Sequence, residues 1–175
     1  MAEDIAAVTL DALRVRITKV FPDQIRSCLD RLSDDDIWWR PNEESNSVGN
    51  LVLHLSGSLD HFLNRAIGGI DFQRDRNAEF AERRQIPKAE LRARFDRMLA
   101  NAEKTFAALT PPRLGDRSPE PKMNRIVVED LLGIAVHIAA HTGQIVWITK
   151  MIRGGGLDDM WMKAHKESGA WPGRR

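Results

Sequence analysis

The segment "LLGIAVHIAAHTGQIVWI", residues 131–148, is almost wholly apolar, yet it carries two histidines four residues apart and a glutamine three residues later. Positions four apart share one face of a helix, with Cβ atoms about 5–6 Å apart. Asp130 and Gln144 each lie seven residues from His137, two helical turns to either side. The segment therefore predicts a core helix with one polar stripe, formed by Asp130, His137, His141 and Gln144.

Two neutral imidazoles at this spacing can bind one metal ion. Buried histidines can instead satisfy each other or backbone carbonyls without any chemistry, so the pair needs a third ligand to indicate a metal site. His54 lies at the border of the apolar side of a second predicted helix and is a better inward candidate than His61, which has polar neighbours. His165 lies in an aperiodic polar tail and reads as a surface residue.

Two further residues of the stripe have candidate supporting roles. Gln144 could orient a ligand or hydrogen-bond to a metal-bound water, and Asp130 could accept a hydrogen bond from a ligand histidine as an outer partner. Near the start of its helix, Asp130 could instead stabilise the helix dipole.

The fold class is predicted to be all-α, because four long helical patterns can be read and no convincing strand. They cover about residues 4–32, where Pro22 should kink or restart the helix, and residues 47–67, 87–109 and 125–153. Ser47 is the expected N-cap of the second. Residues 1–156 are thus expected to form one four-helix bundle. The tail, residues 157–175, contains Trp161, Met162 and Trp171 and should pack on the bundle or on a partner subunit.

Composition narrows the function classes. The net charge of +1 gives no general attraction to nucleic acid, and the single cysteine, Cys28, excludes an intramolecular disulfide. The N-terminus lacks the pattern of a secretory signal, and the most apolar run contains two histidines and a glutamine. These features predict a cytoplasmic protein without a nucleic-acid or membrane partner.

Two blocks carry a resemblance to the DinB-like (DinB/YfiT) superfamily of four-helix-bundle metalloproteins. The blocks are "LSDDDIWWRPNEESNSVGNLVLHLSG", residues 32–57, and "HIAAHTGQI", residues 137–145. By this resemblance the ligands of one divalent metal ion, zinc or nickel, would be His54, His137 and His141. The resemblance also implies a homodimer and relatives that are either thiol S-transferases or metal-dependent hydrolases.

A three-histidine metal site would support either chemistry, because the nucleophile would be a metal-bound thiolate or a metal-bound water. The expected function is transfer of a low-molecular-weight thiol to an electrophilic small molecule; the alternatives are a metal-dependent hydrolase and a non-catalytic metal-binding or stress-related bundle. Arg74 and Arg76 could bind a carboxylate of the thiol cofactor, but we favour a solvated network with Asp75, Glu79 and Glu82. Cys28 is expected to be a core residue rather than a nucleophile.

Overall fold

A computed structural model describes residues 4–83, 86–118, 124–157 and Asp159 of the chain. Within these ranges the regular structure is helical, apart from one isolated antiparallel bridge between Arg117 and Ile126. The predicted all-α fold class is therefore confirmed for the described residues.

The first helical region consists of α1, Ile5–Val15, a π-helical turn, Arg16–Val20, and α2, Phe21–Arg31. Pro22 lies in the first turn of α2, where the missing N–H group is tolerated. The predicted irregularity therefore takes the form of a widened turn before the proline, and the chain continues as helix.

The second region begins with a short helix that was not predicted, α3, Asp34–Trp38. Ser33 and Asp36 form a reciprocal capping box at its start. Helix α4, Val48–Leu59, starts at the predicted cap Ser47 and runs on into a second π-helical turn, Asp60–Arg65. All residues of α4 are buried, so this helix lies at the centre of the molecule.

The connector after α4 contains a helix that was not predicted, α5, Arg76–Ala81, capped by the Asp75 side chain. The two remaining long helices are α6, Lys88–Ala108, and α7, Val127–Arg153, joined through a 3₁₀ turn at Pro111–Gly115. Helix α7 ends at Gly154, whose φ of 70° is the left-handed conformation that glycine adopts readily at a helix end.

One hydrophobic core joins the long helices. Helix α4 packs against α5, α6 and α7, and α2 packs against α7. Cys28 is fully buried in this core, and burial raises the pKa of its thiol, in agreement with a structural role. Of the predicted tail, Leu157 is buried and Asp159 pairs with Arg31 at 2.7 Å, whereas Trp161, Met162, His165 and Trp171 lie outside the described residues.

By length and composition, α7 is the one described helix that could cross a membrane. This is weak evidence for a span, because the core helix of a soluble protein passes the same test. Leu131, Ile138 and Ile145 of α7 are fully buried against the other helices, as expected for a core helix.

Candidate metal centre

Three imidazole rings from two helices converge between α4 and α7. Nε2 of His137 lies 3.0 Å from Nε2 of His54 and 3.1 Å from Nε2 of His141. The three residues offer ligand atoms that all lie within 4.8 Å of one another, close enough to bind one metal ion. The third histidine that the HxxxH pair required is thus supplied by α4.

The other nitrogen of two of these rings already has a partner. Nδ1 of His54 lies 2.9 Å from Oε2 of Glu79, and Nδ1 of His141 lies 2.7 Å from Oε1 of Gln144. Both oxygens accept, which places the proton on Nδ1 of each ring. Nη2 of Arg74 also lies 3.1 Å from Nδ1 of His54, but it donates to Oε2 of Glu79 at 2.8 Å. Nε2 of His54 and Nε2 of His141 are then lone-pair donors that face the same point as Nε2 of His137.

This donor set fits a divalent cation. Ligand nitrogens at about 2.0–2.1 Å from one zinc ion are separated by about 2.8–3.4 Å, depending on whether the geometry is octahedral or tetrahedral. The observed separations of 3.0 and 3.1 Å fall in this range. A single proton could be shared by only one pair of nitrogens, whereas one cation satisfies three lone pairs at once.

The surroundings of His137 and His141 favour the neutral form of these two rings, which a metal requires. Burial, together with the neighbouring His141 and His54, lowers the pKa of His137 to about 4. Burial also lowers the pKa of His141, although the hydrogen bond to Gln144 opposes this effect. Metal ions therefore meet little competition from protons at neutral pH.

Glu79 lies in the interior, beside the histidine cluster. The solvated network predicted for Arg74 and Glu79 is wrong, because Glu79 is only 8% exposed and its carboxylate is enclosed. Arg74 donates through Nε to Oε1 at 2.7 Å and through Nη2 to Oε2 at 2.8 Å, and Nδ1 of His54 lies 2.9 Å from the same Oε2. Burial alone would raise the pKa of Glu79, but the hydrogen bonds from Arg74 and His54 lower it below its usual value.

Glu79 is the functional candidate that the sequence reading missed. Its helix, α5, carries a local signal, since Asp75 is a typical N-cap three residues before Ala78. Nothing local indicates that Glu79 faces the core, because that orientation depends on the packing of α5 against α4.

Gly57 makes room for the Glu79 carboxylate. A Cβ atom at Gly57 would lie 2.1 Å from Oε1 of Glu79 and 3.5 Å from Nε of Arg74. Any side chain larger than hydrogen would therefore push Glu79 away from α4 and away from His54, one turn earlier on the same helix.

Asp130 lies on the predicted stripe but its carboxylate contacts other groups. Ser118 donates a hydrogen bond to Oδ2, and Arg125 lies 3.7 Å from Oδ1. Seven residues of helix separate Asp130 from His137 by about 10 Å along the axis, which is too far for a direct hydrogen bond. The carboxylate that contacts a histidine of the cluster is Glu79, in place of Asp130.

The histidine cluster lies in the wall of an open cavity of about 560 Å³. The lining includes all three histidines, Gln144 and Asp130, the aromatic rings of Phe62 and Phe80, and the cationic side chains of Arg74, Arg76 and Arg125. A small molecule in this cavity could therefore reach a cation held by the histidines.

Comparison with known proteins places the chain in a family whose function is unknown. The sequence model of the family described as "Protein of unknown function (DUF1572)" matches residues 4–163. A comparison with curated proteins finds no match. The chain belongs to the DUF1572 family.

Proposed function

We propose that this DUF1572 protein is a DinB-like, divalent-metal-dependent enzyme that transfers a low-molecular-weight thiol to electrophilic small molecules in the cytoplasm. The observation that carries the proposal is the convergence of three histidines, whose ligand atoms lie within 4.8 Å of one another, in the wall of an open cavity. Catalytic metal sites have three protein ligands and an open position, whereas structural sites are closed by four.

The chain's own residues would hold and orient the ion. His54, His137 and His141 supply three imidazole nitrogens, a donor type that suits zinc and nickel. Glu79 and Gln144 fix the rings by accepting from Nδ1, which leaves each Nε2 free to bind. When bound, a divalent ion acts as a Lewis acid and lowers the pKa of a coordinated thiol, so that the thiol is ionised at neutral pH.

Thiol transfer suits this site better than hydrolysis. Metal-dependent hydrolysis commonly needs a carboxylate or histidine that removes a proton from the attacking water. Among the described residues that line the cavity, Asp130 is the sole carboxylate, and Ser118 and Arg125 engage it. Glu79 is bound to Arg74 and His54. An ionised thiol needs no such base.

The thiol itself must come from a small molecule, because Cys28 is buried in the core. In the proposed reaction the thiol proton passes to solvent, and the sulfur forms a bond to an electrophilic carbon of the substrate. The leaving group departs with the electron pair of the bond that breaks. The cavity walls bring the two reactants together and limit the access of water.

The order of the histidine-bearing helices supports the proposed DinB-like assignment. The chain places one histidine on α4 and the HxxxH pair on α7, in the order found in DinB-like four-helix bundles. We extend the proposal to a homodimer. Its support is the apolar surface that α7 exposes to solvent, formed by Leu132, Val136, Trp147 and Met151.

A conjugation assay tests the function. Zinc-loaded protein is mixed with 1-chloro-2,4-dinitrobenzene and, in turn, with cysteine, glutathione, coenzyme A, bacillithiol and mycothiol, and product formation is followed by absorbance. We expect conjugation with at least one thiol, lost in His141→Ala and retained in His61→Ala, because the ring of His61 lies perpendicular to that of Phe62, outside the cluster.

Two results would overturn the proposal. Metal-dependent hydrolysis of 4-nitrophenyl acetate without consumption of any thiol would indicate a hydrolase. Metal binding without turnover in either assay would indicate a non-catalytic bundle.

A further inference from the structure

The cavity beside the histidine cluster has the size and mixed lining of a small-molecule site. Its volume is about 560 Å³, and Phe62, Phe80 and Ile134 give it apolar walls. Two arginines, Arg76 and Arg125, lie in the same lining and have no part in the proposed metal centre. Their placement bears on the charge of the substrate.

The positive charge that faces the cavity comes mainly from these two side chains. Arg74 also lines the cavity, but it forms two hydrogen bonds to the buried carboxylate of Glu79. The other cationic side chains of the lining are Arg76, which is solvent-exposed, and Arg125, which lies 3.7 Å from Asp130.

Arg76 is connected to the histidine cluster through one aromatic ring. Its guanidinium carbon lies 5.0 Å from the centroid of the Phe80 ring, and that centroid lies 4.6 Å from the centroid of the His54 ring. Stacking on Phe80 fixes the plane of the guanidinium while its N–H groups stay available at the edge. Arg76 is solvent-exposed, so a ligand can reach it.

Arg125 lies on the other wall, over α7. Its Nη1 atom would be 4.0 Å from a Cβ atom at Gly133, and its Nε lies 3.7 Å from Asp130. Gly133 precedes His137 by four residues, which is one turn or about 6 Å along the helix axis. Because Gly133 has no side chain, the space between Arg125 and the histidine cluster stays open to a ligand.

We propose that the cavity selects organic anions, with a carboxylate bound by Arg76 and Arg125 and an apolar body lying against Phe62 and Phe80. The inference rests on the proposed function for the position of the reacting group, which would face the histidine cluster. The charges favour it, because among the described residues of the lining Asp130 is the one acid facing two arginines. A divalent ion at the cluster would add to this positive field.

The test compares two probes of the same shape, 3-phenylpropionate and 3-phenylpropionamide, by isothermal titration calorimetry. Both are titrated into zinc-loaded protein and into chelator-treated, metal-free protein. The variants are Arg76→Gln and Arg125→Gln, with Arg94→Gln as a matched control, since Arg94 is an exposed arginine of α6 that pairs with Glu90. Arg76→Lys keeps the charge and loses the planar fork.

We expect the carboxylate to bind at least about 10-fold more tightly than the amide, in zinc-loaded and in metal-free protein. Arg76→Gln and Arg125→Gln should each reduce this preference about 5- to 10-fold, Arg76→Lys less, and Arg94→Gln not at all.

Three outcomes would overturn the inference: equal affinity for both probes, no binding of either, or a preference that requires zinc and ignores both arginines. The last would mean that the carboxylate merely coordinates the metal. Failure to retain zinc would count against the proposed function alone, because the metal-free titrations test the arginines independently.

Discussion

The Oε2 atom of Glu79 lies 2.9 Å from Nδ1 of His54, and both side chains are buried. This contact joins an outer helix, α5, to the central helix α4 and determines which nitrogen of His54 faces α7. A carboxylate that accepts from a ligand histidine fixes the ring and raises its basicity. The histidine cluster therefore depends on a residue that binds no metal itself.

Replacing Glu79 by glutamine should weaken metal binding while all three histidines remain. The amide oxygen can still accept from His54, but the negative charge that balances Arg74 is lost. We expect affinity for zinc to fall about 10- to 100-fold, the range found when partners of metal ligands are changed. Competition with a chromophoric chelator measures this affinity.

Glu90→Gln is the matched control, because Glu90 is an exposed acid on α6 that pairs with Arg94. Its zinc affinity should equal that of the wild type. If Glu79→Gln also bound zinc as tightly as the wild type, the carboxylate would have no role in positioning His54.

Gly57→Ala should disturb the same contact from the side of α4. Alanine is a better helix former than glycine by about 1 kcal/mol, so propensity alone predicts a more stable protein. The new Cβ would however lie 2.1 Å from Oε1 of Glu79, which must move. We expect lower zinc affinity and a lower melting temperature, measured by chelator competition and by circular dichroism.

Gly143→Ala is the control for this steric effect, because it makes the same substitution in another helix. Gly143 lies in α7, is exposed, and would have no atom within 4 Å of an added Cβ. This variant should keep its zinc affinity and gain up to about 1 kcal/mol of stability. Equal behaviour of the two alanine variants would contradict the steric role of Gly57.

His141→Ala should remove most of the bound metal. Elemental analysis of tag-free protein should give about one divalent ion per chain for the wild type and much less for the variant, because one of three ligands is lost. His61→Ala should resemble the wild type. Equal metal content in His141→Ala and the wild type would show that the metal lies elsewhere or that two histidines suffice.

The sequence predicted those parts of the site that depend on spacing along one helix. His137, His141 and Gln144 recur at helical intervals on α7, and Gln144 contacts His141 as that interval allows. His54 was separated from His61 by its apolar neighbours. The contact between His54 and His137 depends on how α4 packs against α7, so spacing along one helix cannot predict it. From the sequence, this contact was expected only because of the resemblance to a known superfamily.

The parts of the fold that were not predicted have local or tertiary causes. Helix α3 has only five residues, too few to show a hydrophobic period, and is defined by the capping box of Ser33 and Asp36. Helix α5 lies in a highly charged segment without an apolar stripe, so its hydrophobic pattern is weak. The contact of Glu79 with His54 joins residues 25 apart and depends on the packing of α5 on α4.

The metal-free protein should lose stability as the pH falls from about 6.5 toward 4. In the unfolded chain His137 takes up a proton near its ordinary pKa of 6.5, whereas burial and the neighbouring histidines lower its pKa in the folded protein to about 4. Within this interval the unfolded state binds more protons, so protonation favours unfolding. Burial also lowers the pKa of His141, which acts in the same direction.

Urea unfolding of chelator-treated protein is measured at about pH 7.5 and at about pH 5. This interval separates protonation of the histidines from protonation of the carboxylates, which titrate mainly at lower pH. We expect a lower midpoint at the acidic pH and a smaller decrease in His137→Phe, which cannot take up the proton. Stability that is unchanged over this interval, or that rises as the pH falls, would show that the rings take up protons in the folded protein at least as readily as in the unfolded chain. The folded structure would then not favour the neutral rings that the proposed metal centre requires.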